Sequence, residues 1–258
     1  FFPEAARLPP EDSLALERPR HASGHFLIAV PRLPHIANFD DLDPLAAEPG
    51  VSVLIVEPGS PLPQTADLII LPGSKATRSD LSALRQQGWD IDILAHHRAG
   101  KPVLGICGGY QMLGRAVGDP NGIEGQPGTT RGLGLLDVET SMRDVKDLRI
   151  ENAIHLTSGA PIAGYHMHMG ETTGPDRIRP FARIGKSSEG AISADGLVAG
   201  TYLHGLFASD AFRRAFLGSV ADPHATYEAG IEAALDGLAS HLEAHLDLDA
   251  LLALAGDV

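Results

Sequence analysis

The stretch Gly105–Gly114, GICGGYQMLG, holds the only cysteine in 258 residues. An apolar run, Pro102-Val103-Leu104, leads into Cys107, and Gly105, Gly108 and Gly109 surround it. A strand that ends on a nucleophile and turns at once into a helix forces that residue into a tight conformation, which demands small neighbours. The glycines meet the demand. The partial positive charge of a helix N-terminus favours a thiolate there. The Gly108 N–H is then placed to bind an oxyanion. A lone cysteine is often no more than a small buried hydrophobe, but the glycine-rich strand end favours the nucleophile.

A cysteine nucleophile needs a base, usually histidine, and twelve histidines compete. His21, His25 and His35 lie in polar or turn settings, His96 and His97 late in a predicted helix, and His224, His241 and His245 in the C-terminal part. GTYLHGLF instead places His204 at the end of an apolar run, before Gly205. His166 and His168, in GYHMHMGET, alternate on one face of a predicted strand. Such a pair can bind a metal, but no cysteine or carboxylate cluster completes a zinc set, and no metal is expected. LPGSKATRSD carries Gly73, Ser74, Lys75 and Thr77 without the spacing of a phosphate-binding loop. Pro72-Gly73-Ser74 reads better as a strand-end turn facing Cys107, with the Gly73 N–H as a second oxyanion donor.

Four runs must carry these groups: HFLIAVPRL, SVLIVEP, DLIILPGS and PVLGIC. They are apolar without alternation, the pattern of strands buried on both faces of a parallel sheet. Helical stretches separate them. SDLSALRQQG offers Ser79 as a cap and Gly88 as a stop, and DIDILAHHRAG ends at Gly100. The order predicts an α/β fold with a doubly wound, mostly parallel, flavodoxin-like sheet, reactive groups collecting past the carboxyl ends of its strands. After Gly118 the pattern is β-rich and irregular, with strands extending or flanking the sheet. The C-terminal segment is helical, with Ile231, Leu235, Leu238 and Leu242 on one face.

A formal charge of −13 disfavours nucleic acid or an anionic membrane as partner. No apolar run approaches the roughly 18 residues that span a bilayer, and a lone cysteine fits a reducing, cytoplasmic compartment. Residues 1–24, with their prolines and charges, read as a linker or the tail of an upstream domain, and 25–258 as one domain with its C-terminal helices.

GICGGYQ resembles the G-x-C-x-G-x-Q motif of class I (triad-type) glutamine amidotransferases. RLPHIANFDDLDPL, LIILPGSKATRSDL, GIEG, GLGLLDVET, GYHMHMGET, GTYLHGLF and HLEAHLDLDALLALA are similar, in order, to the cobyric acid synthase branch of that family. The resemblance implies glutamine as substrate, Cys107 as nucleophile, His204 as base, Gly73 and Gly108 at the oxyanion hole, and Gln111, Tyr165 and His168 around the glutamine. It implies no cofactor in this chain. It also implies an upstream synthetase domain using ATP and magnesium to activate carboxylates of a corrinoid acceptor, adenosylcobyrinic acid a,c-diamide. Two departures stand out. His204 is followed by Gly205-Leu206, not by x-Glu, so a carboxylate elsewhere, a carbonyl or water must orient it. His166 stands where Glu is expected. The sister diamide synthase, a lipid II amidating complex, a cysteine hydrolase on the same scaffold and a non-catalytic docking module are the alternatives.

Overall fold

The structure, a computed structural model, describes residues 25–247 and a few isolated positions nearer the two ends. The linker expected at 1–24 and the last part of the C-terminal segment lie, apart from those positions, outside the described residues. The principal strands are β1 (Phe26–Pro31), β2 (Val51–Val56), β3 (Leu68–Leu71), β4 (Val103–Ile106), β5 (Glu139–His155), β6 (Pro161–Thr173) and β7 (Val198–Thr201). The principal helices are α1 (Thr77–Gln86), α2 (Trp89–Arg98), α3 (Gly108–Leu113), α4 (Asp210–Leu217) and α5 (Tyr227–His245).

Five strands form a parallel sheet in the order β7-β4-β3-β1-β2, with the short antiparallel strand Ala191–Ile192 at the β7 edge. The chain leaves β1 for the β2 edge and returns to lay β3 on the other side of β1. That reversal opens a crevice past the carboxyl ends of β1 and β3, where ligands bind in such sheets. Both faces are covered. Ile28, Val30, Ile70 and Leu104 pack with Leu45, Phe207 and Phe212. Ala29, Ile69, Leu71 and Val103 pack with Leu81, Leu84, Trp89 and Ile93. Successive residues therefore all need apolar side chains, which is why the four runs show no alternation.

A second, mostly antiparallel sheet runs Ser187–Glu189, Ala182–Ile184, β5, β6, Leu203–His204. Of the strands expected to extend or flank the first sheet, β7 and Ala191–Ile192 do extend it, and the others build a second sheet. The segment 198–204 joins the two, as β7 in one and Leu203–His204 in the other.

One local expectation, the Ser79 cap, is corrected. Ser79 does not cap a helix: α1 begins at Thr77 after Ala76, so Ser79 lies within its first turn. The apolar face of α5 is not buried. Leu235 and Leu242 are 43% and 41% exposed and only Ala234 is buried. Helices α1–α4 already cover the sheet, and α5 contributes nothing to either core cluster.

Candidate active site

Cys107 follows β4 and is one of two non-glycine residues with positive φ among those described, at φ 54°, ψ −109°. Such a conformation costs about 1–3 kcal/mol and persists only where its surroundings dictate it. They do. The Cys107 N–H donates to the Thr201 carbonyl at 2.8 Å, and its carbonyl accepts the Gln111 N–H at 3.1 Å. The flanking glycines permit the close approach: a Cβ on Gly109 would collide with the Leu71 carbonyl, and one on Gly108 would stand 2.9 Å from the Ser74 nitrogen.

His204 is fully buried just beyond β7. Its Nδ1 lies 2.7 Å from Oδ2 of Asp41, whose Oδ1 accepts the Gly205 N–H at 2.6 Å. An ionised carboxylate only accepts, so Nδ1 carries a proton and Nε2 is left for another partner. No oxygen or nitrogen bonds to that Nε2. Burial alone would lower the His204 pKa. The Asp41 hydrogen bond, then the hydrogen bond and charge interaction with Cys107, outweigh it and raise the value to about 10. The Asp41 carboxylate thus favours the protonated imidazole beside the sulfur.

Asp41 is the residue that sequence reasoning missed. It comes from the 3₁₀ turn Phe39–Leu42, after β1, and occupies the role that an acid after His204 would have filled. The available signal was Asp40-Asp41 a few residues beyond the first predicted strand, in the same strand-end zone as Cys107 and His204.

The β6 strand lies across this line. Tyr165 stacks on His204 with ring centroids 5.3 Å apart and accepts a 2.8 Å hydrogen bond from Asn38. Burial, then the nearby Asp41 and Asp40, push its hydroxyl pKa up to about 12, so it stays neutral. The Cys107 thiol donates to the Met167 carbonyl at 3.4 Å. Gly73 pairs with Ala37 across a two-residue antiparallel contact, and a Cβ on it would lie 3.4 Å from His204 Cε1.

The other expected binding residues sit differently. Gln111 is 2% exposed. Its amide oxygen accepts from the Thr77 hydroxyl, and its nitrogen donates to the Met169 carbonyl and the Tyr202 hydroxyl. It braces α3 against β6 here. His168 stacks on Tyr202 at 3.9 Å. His166 Nε2 is 3.9 Å from the buried Glu189 carboxylate. Among the described residues, no three His, Cys, Asp or Glu group as metal ligands.

Residues 27–212 match the CobB/CobQ-like glutamine amidotransferase domain family. Cobyric acid synthase of Cereibacter sphaeroides is 58% identical over 257 residues, covering 99% of this chain and 53% of that protein. Cobyric acid synthase of Methylorubrum populi is 61% identical, covering 98% and 53%. The chain thus spans about half the length of these relatives. Among solved structures, PurLQS from Thermotoga maritima superposes with TM-score 0.54 at 18% identity, over 82% of this chain and 99% of that one. A glutamine amidotransferase superposes with TM-score 0.53 at 18% identity, over 75% and 98%. Fold and sequence together make this chain a member of the CobB/CobQ-like glutamine amidotransferase domain family.

Proposed function

We propose that the chain is the glutaminase part of a cobyric acid synthase, and that Cys107, His204 and Asp41 are its hydrolytic triad. The observation that carries this reading is the buried Asp41–His204 hydrogen bond, with the imidazole beside a strained strand-end cysteine. The Cys107 thiolate attacks the side-chain amide carbon of glutamine and forms a tetrahedral oxyanion, for which the Gly108 and Gly73 N–H groups are the assigned donors. His204 gives its proton to the leaving nitrogen, ammonia departs, and a glutamyl thioester remains on Cys107. His204, now neutral, takes a proton from water as the water attacks the thioester. Glutamate leaves, and thiolate and imidazolium are restored. Asp41 fixes the imidazole tautomer and stabilises its charge throughout.

Tyr165 shields one face of His204 and borders the glutamine. In the full-length protein, a second part of dethiobiotin-synthetase type would use ATP and magnesium to activate carboxylates of adenosylcobyrinic acid a,c-diamide, which the ammonia then amidates. No described helix is long and apolar enough to cross a membrane; we assign the reaction to the cytoplasm.

The test is Cys107→Ser in the full-length protein, assayed with two nitrogen sources. Amidation from glutamine should be lost, while amidation from added ammonia persists. Loss of both in a folded variant would take Cys107 out of the glutaminase role.

A further inference from the structure

Glu189 ends the strand Ser187–Glu189 and is 5% exposed. It takes no part in the triad. Burying a carboxylate is costly unless its oxygens are well bonded, and both of these are. Oε2 accepts the Thr201 hydroxyl at 2.8 Å, and Oε1 accepts the Tyr202 N–H at 2.6 Å. The Thr201 hydroxyl oxygen in turn accepts the Leu203 N–H at 3.1 Å. One carboxylate thus fixes three consecutive residues where the chain passes from the parallel sheet into the second sheet.

Those residues serve both reactive groups. The Thr201 carbonyl receives the Cys107 N–H and so holds the strained elbow. Leu203 leads directly to His204. The Tyr202 hydroxyl meets Gln111 of the nucleophile helix at 3.2 Å and Thr172 of β6 at 2.5 Å. A shift of 0.5 Å in this segment would move the elbow and the imidazole relative to each other, and catalytic constellations tolerate little more than that.

We infer that Glu189 is a positioning residue for the glutaminase reaction: its carboxylate sets the relative placement of Cys107 and His204 through Thr201 and Tyr202. It touches neither glutamine nor the reacting atoms. The charged or titratable groups around it are His166 on β6, Arg177 at the turn after β6, and the phenol of Tyr110. Burial, partly offset by the bonds from Tyr202 and Thr201, raises the Glu189 pKa to about 7.

The inference rests on Cys107 and His204 acting as assigned above, and its test keeps the two apart. Glu189→Gln and Glu189→Ala are made in the full-length protein. Active sites are titrated with 6-diazo-5-oxo-norleucine, and kcat and KM for glutamine hydrolysis are measured per titrated site. Glutamine offers one acceptor oxygen and turns an N–H donor toward a donor, so it repairs only half of the clamp. Per titrated site, kcat should fall about ten-fold for Glu189→Gln and about 100-fold for Glu189→Ala, with KM within about two-fold, the pattern of lost transition-state geometry. Glu189→Asp, which keeps both acceptors on a shorter arm, should recover part of the loss. If Glu189→Ala does not fold, the Gln and Asp variants carry the test. Unchanged kcat per titrated site, with only the number of titrated sites reduced, would make Glu189 a stability residue and overturn the inference. Absence of any titration in the unaltered protein would instead overturn the nucleophile assignment.

Discussion

The two sheets differ in what they present to the site. The parallel sheet sends four segments out past its carboxyl edge: they deliver Asp41, Gly73, Cys107 and, where β7 runs on into the edge strand of the second sheet, His204. The second sheet delivers a strand: β6 lays Tyr165 on His204 and the Met167 carbonyl near Cys107. Proton and bond chemistry sits on the first, whose strands are buried on both faces and hold their ends rigidly. In the proposed reaction shielding and substrate contact fall to the second, which turns Leu148 and Ile150, 64% and 91% exposed, away from any core.

This division is broken most severely at Asp41. Asp41→Asn leaves the shape intact but removes the negative charge and one of the two acceptor oxygens that hold His204 and the Gly205 N–H, so kcat should fall on the order of 10²-fold or more. The pH dependence should change with it. His204 has a folded pKa of about 10 against an ordinary value of 6.5. A raised pKa means that the stability this group supplies is full below about pH 6.5 and is lost as pH rises through about 10. In Asp41→Asn the burial that depresses the pKa is no longer opposed by the carboxylate. The alkaline limb of kcat and the alkaline loss of stability should both move to lower pH. A limb that stays in place would remove Asp41 from the triad.

A smaller effect is expected from the second sheet. Tyr165→Ala removes the ring over His204 and the acceptor for Asn38 but no proton-transfer group. KM for glutamine should rise about ten-fold while kcat falls less, the signature of lost ground-state binding. Tyr165→Phe, which keeps the ring, should lie close to the unaltered protein. A larger fall in kcat than rise in KM for Tyr165→Ala would place β6 in the chemistry itself and erase the division.

The same contrast explains what was legible in the sequence. The buried parallel strands announced themselves as unalternating apolar runs, and Cys107 and His204 as polar residues at their ends with glycine beside them. The elbow was readable because strain demands small neighbours, and the structure shows those glycines pressed against Leu71 and Ser74. Asp41 was not readable as a partner. Its contact with His204 spans 163 residues and depends on β1 lying beside β3, which no local pattern states. The second sheet was only partly readable, because its strands cover one face and leave the other to solvent. Gln111 shows a further limit: its motif position was clear, but its three hydrogen bonds come from α1, β6 and Tyr202, all distant in sequence.

The central claim is that Cys107, activated beside His204 and Asp41, attacks glutamine. The most direct measurement is the intact mass of the full-length protein after reaction with 6-diazo-5-oxo-norleucine, followed by peptide mapping. The account predicts one adduct per chain, on Cys107, slowed by competing glutamine and strongly slowed in Asp41→Asn. A folded protein that forms no adduct, or forms it at another residue, would contradict it.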